Sequence, residues 1–266
     1  MREMTAGRRA VAALLGVLAV AGLAACRADP TVAAYVDDVR ITVAEVDEAS
    51  AERLQALQAQ SDEALAGFET QLAEQIGGDD GLTAEDAAGQ LADAQAQEAE
   101  RLDELAAAIP SYVVTLRVLT ELAAARAEAD GVEVPAPDQQ AAADELGMAP
   151  DAAFVQLYGG FTTVVRALYA SLEPAAPTEA DQREIYDDLI DQGMTGSFEE
   201  AQQVLTVDRI GGSVALRNAI TGAAAAAELH VNPRYQPVWE VPVPLGNVES
   251  ALTVPLSDSA VTEERS

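Results

Sequence analysis

The chain has 266 residues, a formal net charge of -30 and only 4% aromatic residues, and its 15 basic side chains are all Arg. Such acidity excludes nucleic-acid binding, which needs a positive surface, and it excludes electrostatic adhesion to anionic lipid. A core short of aromatics must be built from Ala, Leu and Val, which points to packed helices rather than a β-sandwich, and abundant Ala and Arg without Lys suggest a GC-rich bacterial genome, with a salty habitat as a second source of the acidity.

The N-terminus is an export signal in composition. Arg2, Arg8 and Arg9 precede an uncharged apolar run over residues 10–25, too short to span a membrane comfortably, and small residues close it. Leu23-Ala24-Ala25-Cys26 resembles the bacterial lipobox. That resemblance implies cleavage of residues 1–25 and a diacylglyceryl group on the Cys26 sulfur. A further acyl chain on the new amino group would give stable anchoring to the outer face of the cell membrane. Cys26 is the one cysteine, so no internal disulfide is available to it. Residues 26–31 form an anchor spacer, and the mature chain of about 240 residues suits one large domain or two small ones.

Two β-prone runs, residues 32–36 and 39–41, flank Asp37-Asp38 and read as a tight hairpin. Thr42 with Glu45 forms a capping box that opens a long helix, whose stripe includes Val46, Leu54, Leu57, Leu65, Phe68, Leu72 and Ile76. Gly77-Gly78-Asp79-Asp80-Gly81 is a flexible turn, and Thr83 caps a return helix with Ala87, Leu91, Ala94, Leu102, Leu105 and Ile109 on its stripe. Residues 51–109 therefore read as an acidic helical hairpin of about 40 Å reach. Pro110 either kinks this helix or starts the next, over residues 111–130, which Gly131 ends. After a linker at 132–137 come short helices over 138–146 and 152–158, with a third over 161–172 set off by Gly159-Gly160. Pro174 and Pro177 break the chain before a helix over 178–192. Ser197 with Glu200 opens a helix running to about residue 227, interrupted or weakened at Gly211-Gly212. Leu229-His230-Val231 is a strand candidate, and the proline-rich residues 241–266 are expected to be extended or disordered.

These pieces, in this order, resemble the SurA/PrsA type of exported chaperone. The hairpin running into a helix over residues 32–48 is similar to the family's start. The helix ending in Gly131-Val132-Glu133-Val134 and the helix opened by Ser197-Phe198-Glu199-Glu200 are similar to its later elements. The ending Val231-Asn232-Pro233-Arg234-Tyr235 resembles that of actinobacterial lipoproteins with a SurA N-terminal-like domain. The resemblance covers most of residues 32–240. It implies a mainly α, SurA N-terminal-like helical domain in which the small β-hairpin pairs with the late strand. The hairpin over 51–109 stands out as an insertion, and the turn lacks the usual Gly at Asp38.

Relatives often carry a parvulin prolyl isomerase domain, but only about 20 residues separate Pro177 from Ser197, with no room for one. His230 is the sole His and sits in the terminal strand, where a structural role fits better than that of a base; one His and one lipidated Cys exclude the usual zinc sets. No phosphate loop or dinucleotide fingerprint is present, and Asp79-Asp80 lacks calcium-loop spacing. The expectation is a non-enzymatic lipoprotein without cofactor or metal that holds unfolded exported chains, with Phe154, Leu157, Tyr158, Phe161, Leu168 and Tyr169 as client contacts. The alternative is a structural or adaptor envelope lipoprotein that binds one defined partner through its acidic arm. A third reading is a degenerate isomerase relative with residual catalysis.

Overall fold

The computed structural model describes residues 29–76, 82–246 and 248–256. Strand β1 (Val32–Val36) turns through Asp37-Asp38 into β2 (Val39–Thr42), pairing Val36 with Val39 and Tyr35 with Arg40. Asp37 takes a left-handed φ of 50°, costly for a residue with a side chain. It is held from the far end of the chain: its N–H donates to the Glu228 carbonyl at 3.1 Å, and its carboxylate accepts the Glu228 N–H at 2.8 Å. The chain then runs into β3 (Leu229–Val231), which pairs antiparallel with β1 and gives the order β2-β1-β3. A two-stranded hairpin is marginal alone, and the third strand completes it. Asn232 latches the join: its N–H donates to the Ala33 carbonyl at 2.8 Å and its amide nitrogen to the Val32 carbonyl at 3.2 Å.

Helix α1 (Val43–Gln75) starts at the expected capping box. The Glu45 carboxylate accepts the Thr42 N–H at 2.8 Å, and this bond, with the Thr42 hydroxyl, holds its pKa below the usual carboxylate range. Helix α2 (Ala84–Ala129) is capped by Thr83 and runs for 46 residues straight through Pro110. Of the two expectations for Pro110, the start of a new helix is therefore corrected: Pro110 lies within α2. Proline removes one N–H donor from a helix interior, but Ile109 before it and Val113 to Leu122 after it are buried on a common core. Packing overrides the local break. An 18-residue window of α2 has a mean hydropathy of 1.4, apolar enough on composition to cross a membrane, and 44% of it is buried within the protein.

Helix α3 (Gln139–Leu146) ends at Gly147, where φ is 65°. Helix α4 (Ala153–Ser171) is one helix, not two: Gly159-Gly160 lies within it. A Cβ on Gly159 would stand 2.8 Å from Gln139 Oε1 and 3.5 Å from Ala142 Cβ, so this glycine admits α3 rather than ending a helix. Helix α5 (Glu179–Asp191) follows a second capping box, Thr178 with Asp181. The late helix divides at Leu205-Thr206 into α6 (Phe198–Val204) and α7 (Val207–Ala226), not at Gly211-Gly212, which lies inside α7. Buried Leu205 closes α6, and its carbonyl accepts Gln182 Nε2 at 2.9 Å. The two glycines let α7 press against the α4–α5 connection, where a Cβ on Gly211 would stand 3.0 Å from both the Ala175 carbonyl and Pro174 Cβ.

Of the two expectations for the tail, extended or disordered, the second is corrected over residues 241–245 and 248–255, which are extended as paired strands. There β4 (Val238–Leu245) and β5 (Val248–Pro255) form an antiparallel hairpin whose Val241, Val243, Leu252 and Val254 join the main core. The prolines obey the ladder. The Thr253 N–H turns away from β4 to Glu184 of α5, at 2.6 Å. Residue 253 and its alternates 251, 249 and 255 thus face β4 as non-hydrogen-bonded pairs, and Pro242 and Pro244, opposite 251 and 249, point their nitrogens to the open edge. Residues 257–266 lie outside the described residues.

Candidate functional site

The C-terminal hairpin and the α5–α6 segment together build an apolar groove. Helix α5 contributes Tyr186, Leu189 and Ile190, the α5–α6 loop Met194, α6 Val204, and the hairpin Leu245 and Val248; the cavity holds about 270 Å³. Contacts between these elements hold them together. The Tyr186 hydroxyl donates to the Gly196 carbonyl at 3.0 Å, and its ring meets Phe198 edge-on at 5.5 Å. Arg183 lies over the Phe198 ring at 3.4 Å, a cation–π contact that ties α5 to the start of α6. Ser197 with Glu200 caps α6.

At the start of α5, buried Asp181 is ion-paired with Arg217 of α7 and also accepts the Thr178 N–H at 2.7 Å. On the other side, α5 covers β5 with carboxylates. Asp188 has its pKa lowered by the Ser250 hydroxyl first, then by the Gln192 amide and the Ala251 N–H. The rim of the groove keeps large apolar side chains in water: Ile190 is 38% exposed, Met194 45% and Val204 49%. Single exposed apolar residues are ordinary; here three of them share one concavity. Methionine is the side chain best able to adapt to varied partners.

The six aromatic and aliphatic residues of α4 singled out from sequence do not form such a surface. Phe154, Leu157 and Leu168 are buried in the core, which corrects their assignment as client contacts. They follow the inward stripe of α4, and inward and outward stripes of one helix look alike in sequence. Tyr158 is half-buried, its hydroxyl donating to Glu145 at 2.6 Å; burial, and then this bond, pushes its pKa up to about 12. Phe161 packs edge-on against Trp239 at 6.2 Å. Tyr169 alone is well exposed, with its ring beside Gly212. His230 is exposed on β3, opposite Tyr35. Cys26 and the Asp79-Asp80 turn lie outside the described residues. Ile190, Met194 and Val204 went unmarked because they come from separate short segments and share a site only through a hairpin 40 residues further on.

The arm is real and shorter than the sequence implies. Helix α1 still touches the body at Gln60, whose amide donates to the Leu146 carbonyl at 3.0 Å. Beyond it the free pair of helices extends about 25 Å at 1.5 Å per residue. At its base, Glu52 accepts the Phe154 N–H at 3.2 Å, supplying the cap that the N-terminus of α4 lacks in its own sequence. Arg53 lies over the Phe154 ring at 5.5 Å, and burial lowers its pKa. Set beside family models, curated proteins and solved structures, the chain finds no match in any of the three.

Proposed function

We propose that this protein is a chaperone-like envelope lipoprotein, tethered through acylated Cys26, that holds apolar segments of unfolded exported polypeptides without prolyl isomerisation. The observation that carries the reading is the groove between α5, α6 and the C-terminal hairpin, apolar within and rimmed by exposed Ile190, Met194 and Val204. Such a surface gains by covering side chains of any sequence, at about 25 cal/mol for each Å² of apolar area removed from water, so it favours hydrophobic segments without demanding one sequence. The resemblance of the β-hairpin, the Gly131 exit and the Val231–Tyr235 ending to SurA/PrsA-type chaperones supports the same reading.

The test is suppression of aggregation of a chemically unfolded client at near-equal molar ratio, in moderate salt. The unmodified protein is expected to suppress aggregation, and M194D/V204D to lose most of that effect while keeping its helical circular dichroism. Equal suppression by the two proteins would remove the groove from the mechanism. No suppression by the well-folded unmodified protein would end the holding reading.

A further inference from the structure

A second surface, independent of the α5–α6 groove, lies on the arm. Two antiparallel helices on their own cover only part of each other's apolar stripe, and here Ser61, Leu72 and Ala87 are the fully buried seam residues of the free portion. Leu65 and Phe68 of α1 remain half-exposed beside the small side chain of Ala94, and with Gln60, Gln97 and Arg101 they line an open groove along the seam. From Gln60 to Phe68 the groove runs about 12 Å, two turns of a packed helix.

Its surroundings carry one sign of charge. By helical spacing, Glu63 follows Gln60 round α1 on the groove side, and Asp93, Glu100 and Glu104 follow Gln97 and Arg101 round α2; all four are exposed. The two cations of the arm are both engaged. Arg101 pairs with Glu98, whose pKa is drawn down to about 2 by that bond and by the Ser61 hydroxyl. Arg53, at the base, lies over Phe154 and donates to the Leu146 carbonyl. The apolar floor is therefore framed by uncompensated carboxylates.

We infer that this seam receives a basic amphipathic helix of a partner protein. Its apolar residues, at i, i+3, i+4 and i+7, would seat against Leu65, Phe68 and Ala94, and its Arg or Lys flanks would meet the acidic rims. A third helix completes the packing that two cannot. Charge selects its sign: a second copy of this arm would bring acid against acid, whereas a basic helix lowers the repulsion already stored there. The floor supplies the helix specificity and the rims accelerate encounter, so binding weakens as salt screens the rims.

The experiment measures anisotropy of a labelled 18-residue Leu/Arg peptide with amphipathic helical spacing, titrated with the full chain at low and moderate salt. A scrambled peptide of the same composition serves as control. The amphipathic peptide is expected to bind at least tenfold more tightly than the scrambled one, with affinity falling as salt rises. L65S/F68S should weaken it about tenfold. A94L, which fills the groove with a good helix former and leaves the arm intact, should do the same. M194D/V204D should leave it unchanged, so that failure of this inference and failure of the holding reading are told apart. Equal binding of both peptides would reduce the effect to bulk charge and overturn the inference. So would affinity within twofold of the unmodified protein in A94L, loss of binding in M194D/V204D, or self-association that occupies the groove.

Discussion

Replacing Arg217 with Met isolates the ion pair that joins α5 to α7. Asp181 is 1% exposed, and its Arg217 partner has a side chain 19% exposed, so the pair is largely withdrawn from water. Breaking a buried pair by deleting one member costs about 3–5 kcal/mol, because a charge is left behind without compensation. Two features place R217M near the lower end. The Thr178 N–H remains bonded to Asp181, and the partly exposed Met site admits some solvent. About 3 kcal/mol in a domain of this size lowers Tm by roughly 6–12 °C. D181N/R217M leaves no buried charge, only the part-exposed Glu184 carboxylate that Arg217 also meets at 3.9 Å, and Asn keeps an acceptor for Thr178, so the double variant should lose only about 1 kcal/mol. The assay is urea unfolding at neutral pH, followed by circular dichroism, with thermal melts alongside. An R217M loss below about 1 kcal/mol, or a double variant less stable than the single, would refute the reasoning by showing that Asp181 is not held buried by Arg217.

The adjacent glycines of α7 should part company. G211A drives a Cβ against the Ala175 carbonyl and Pro174, which cannot swing aside, and should cost about 1–3 kcal/mol; G212A meets the Tyr169 hydroxyl end, which is exposed and free to move, and should be nearly neutral in urea unfolding. The lowered pKa of Asp188 contributes stability that is present above the ordinary carboxylate range and is lost as pH falls through its depressed native value. D188N should therefore be less stable than the unmodified protein at pH 7, with the gap closing as pH drops below 4, as read from urea midpoints across pH. E52A withdraws the carboxylate that caps α4 and should cost about 1 kcal/mol, with E52Q recovering part of it in thermal melts.

The elements legible in the sequence are those written in local chemistry. The Asp37-Asp38 turn, the capping boxes at Thr42 and Ser197, and the Thr83 cap each place their own element. The late strand was legible from its β-prone run, and it pairs with β1 as expected. What misled was punctuation that packing overrides. Pro110, Gly159-Gly160 and Gly211-Gly212 sit inside helices because neighbours on other elements need the space or supply the burial. The tail was misread for a related reason. Pro242 and Pro244 hid a period-two pattern, Trp239, Val241, Val243 and Leu245, that alternates with them and faces inward. The groove shows the same limit: its residues are unremarkable one at a time, and only tertiary structure gathers them.

The proline edge of β4 limits how this protein can meet an unfolded chain. A passing extended segment adds to a sheet by trading N–H and C=O groups with an open strand. Along this edge Pro242 and Pro244 have no N–H to trade, and the Pro242 carbonyl already accepts the Ser213 hydroxyl at 2.8 Å. Main-chain templating is thus refused there. An extended segment meeting this hairpin finds no N–H to pair with at Pro242 and Pro244. Under the holding reading proposed above, any grip on it would come from side chains in the α5–α6 groove, which releases without unzipping a ladder.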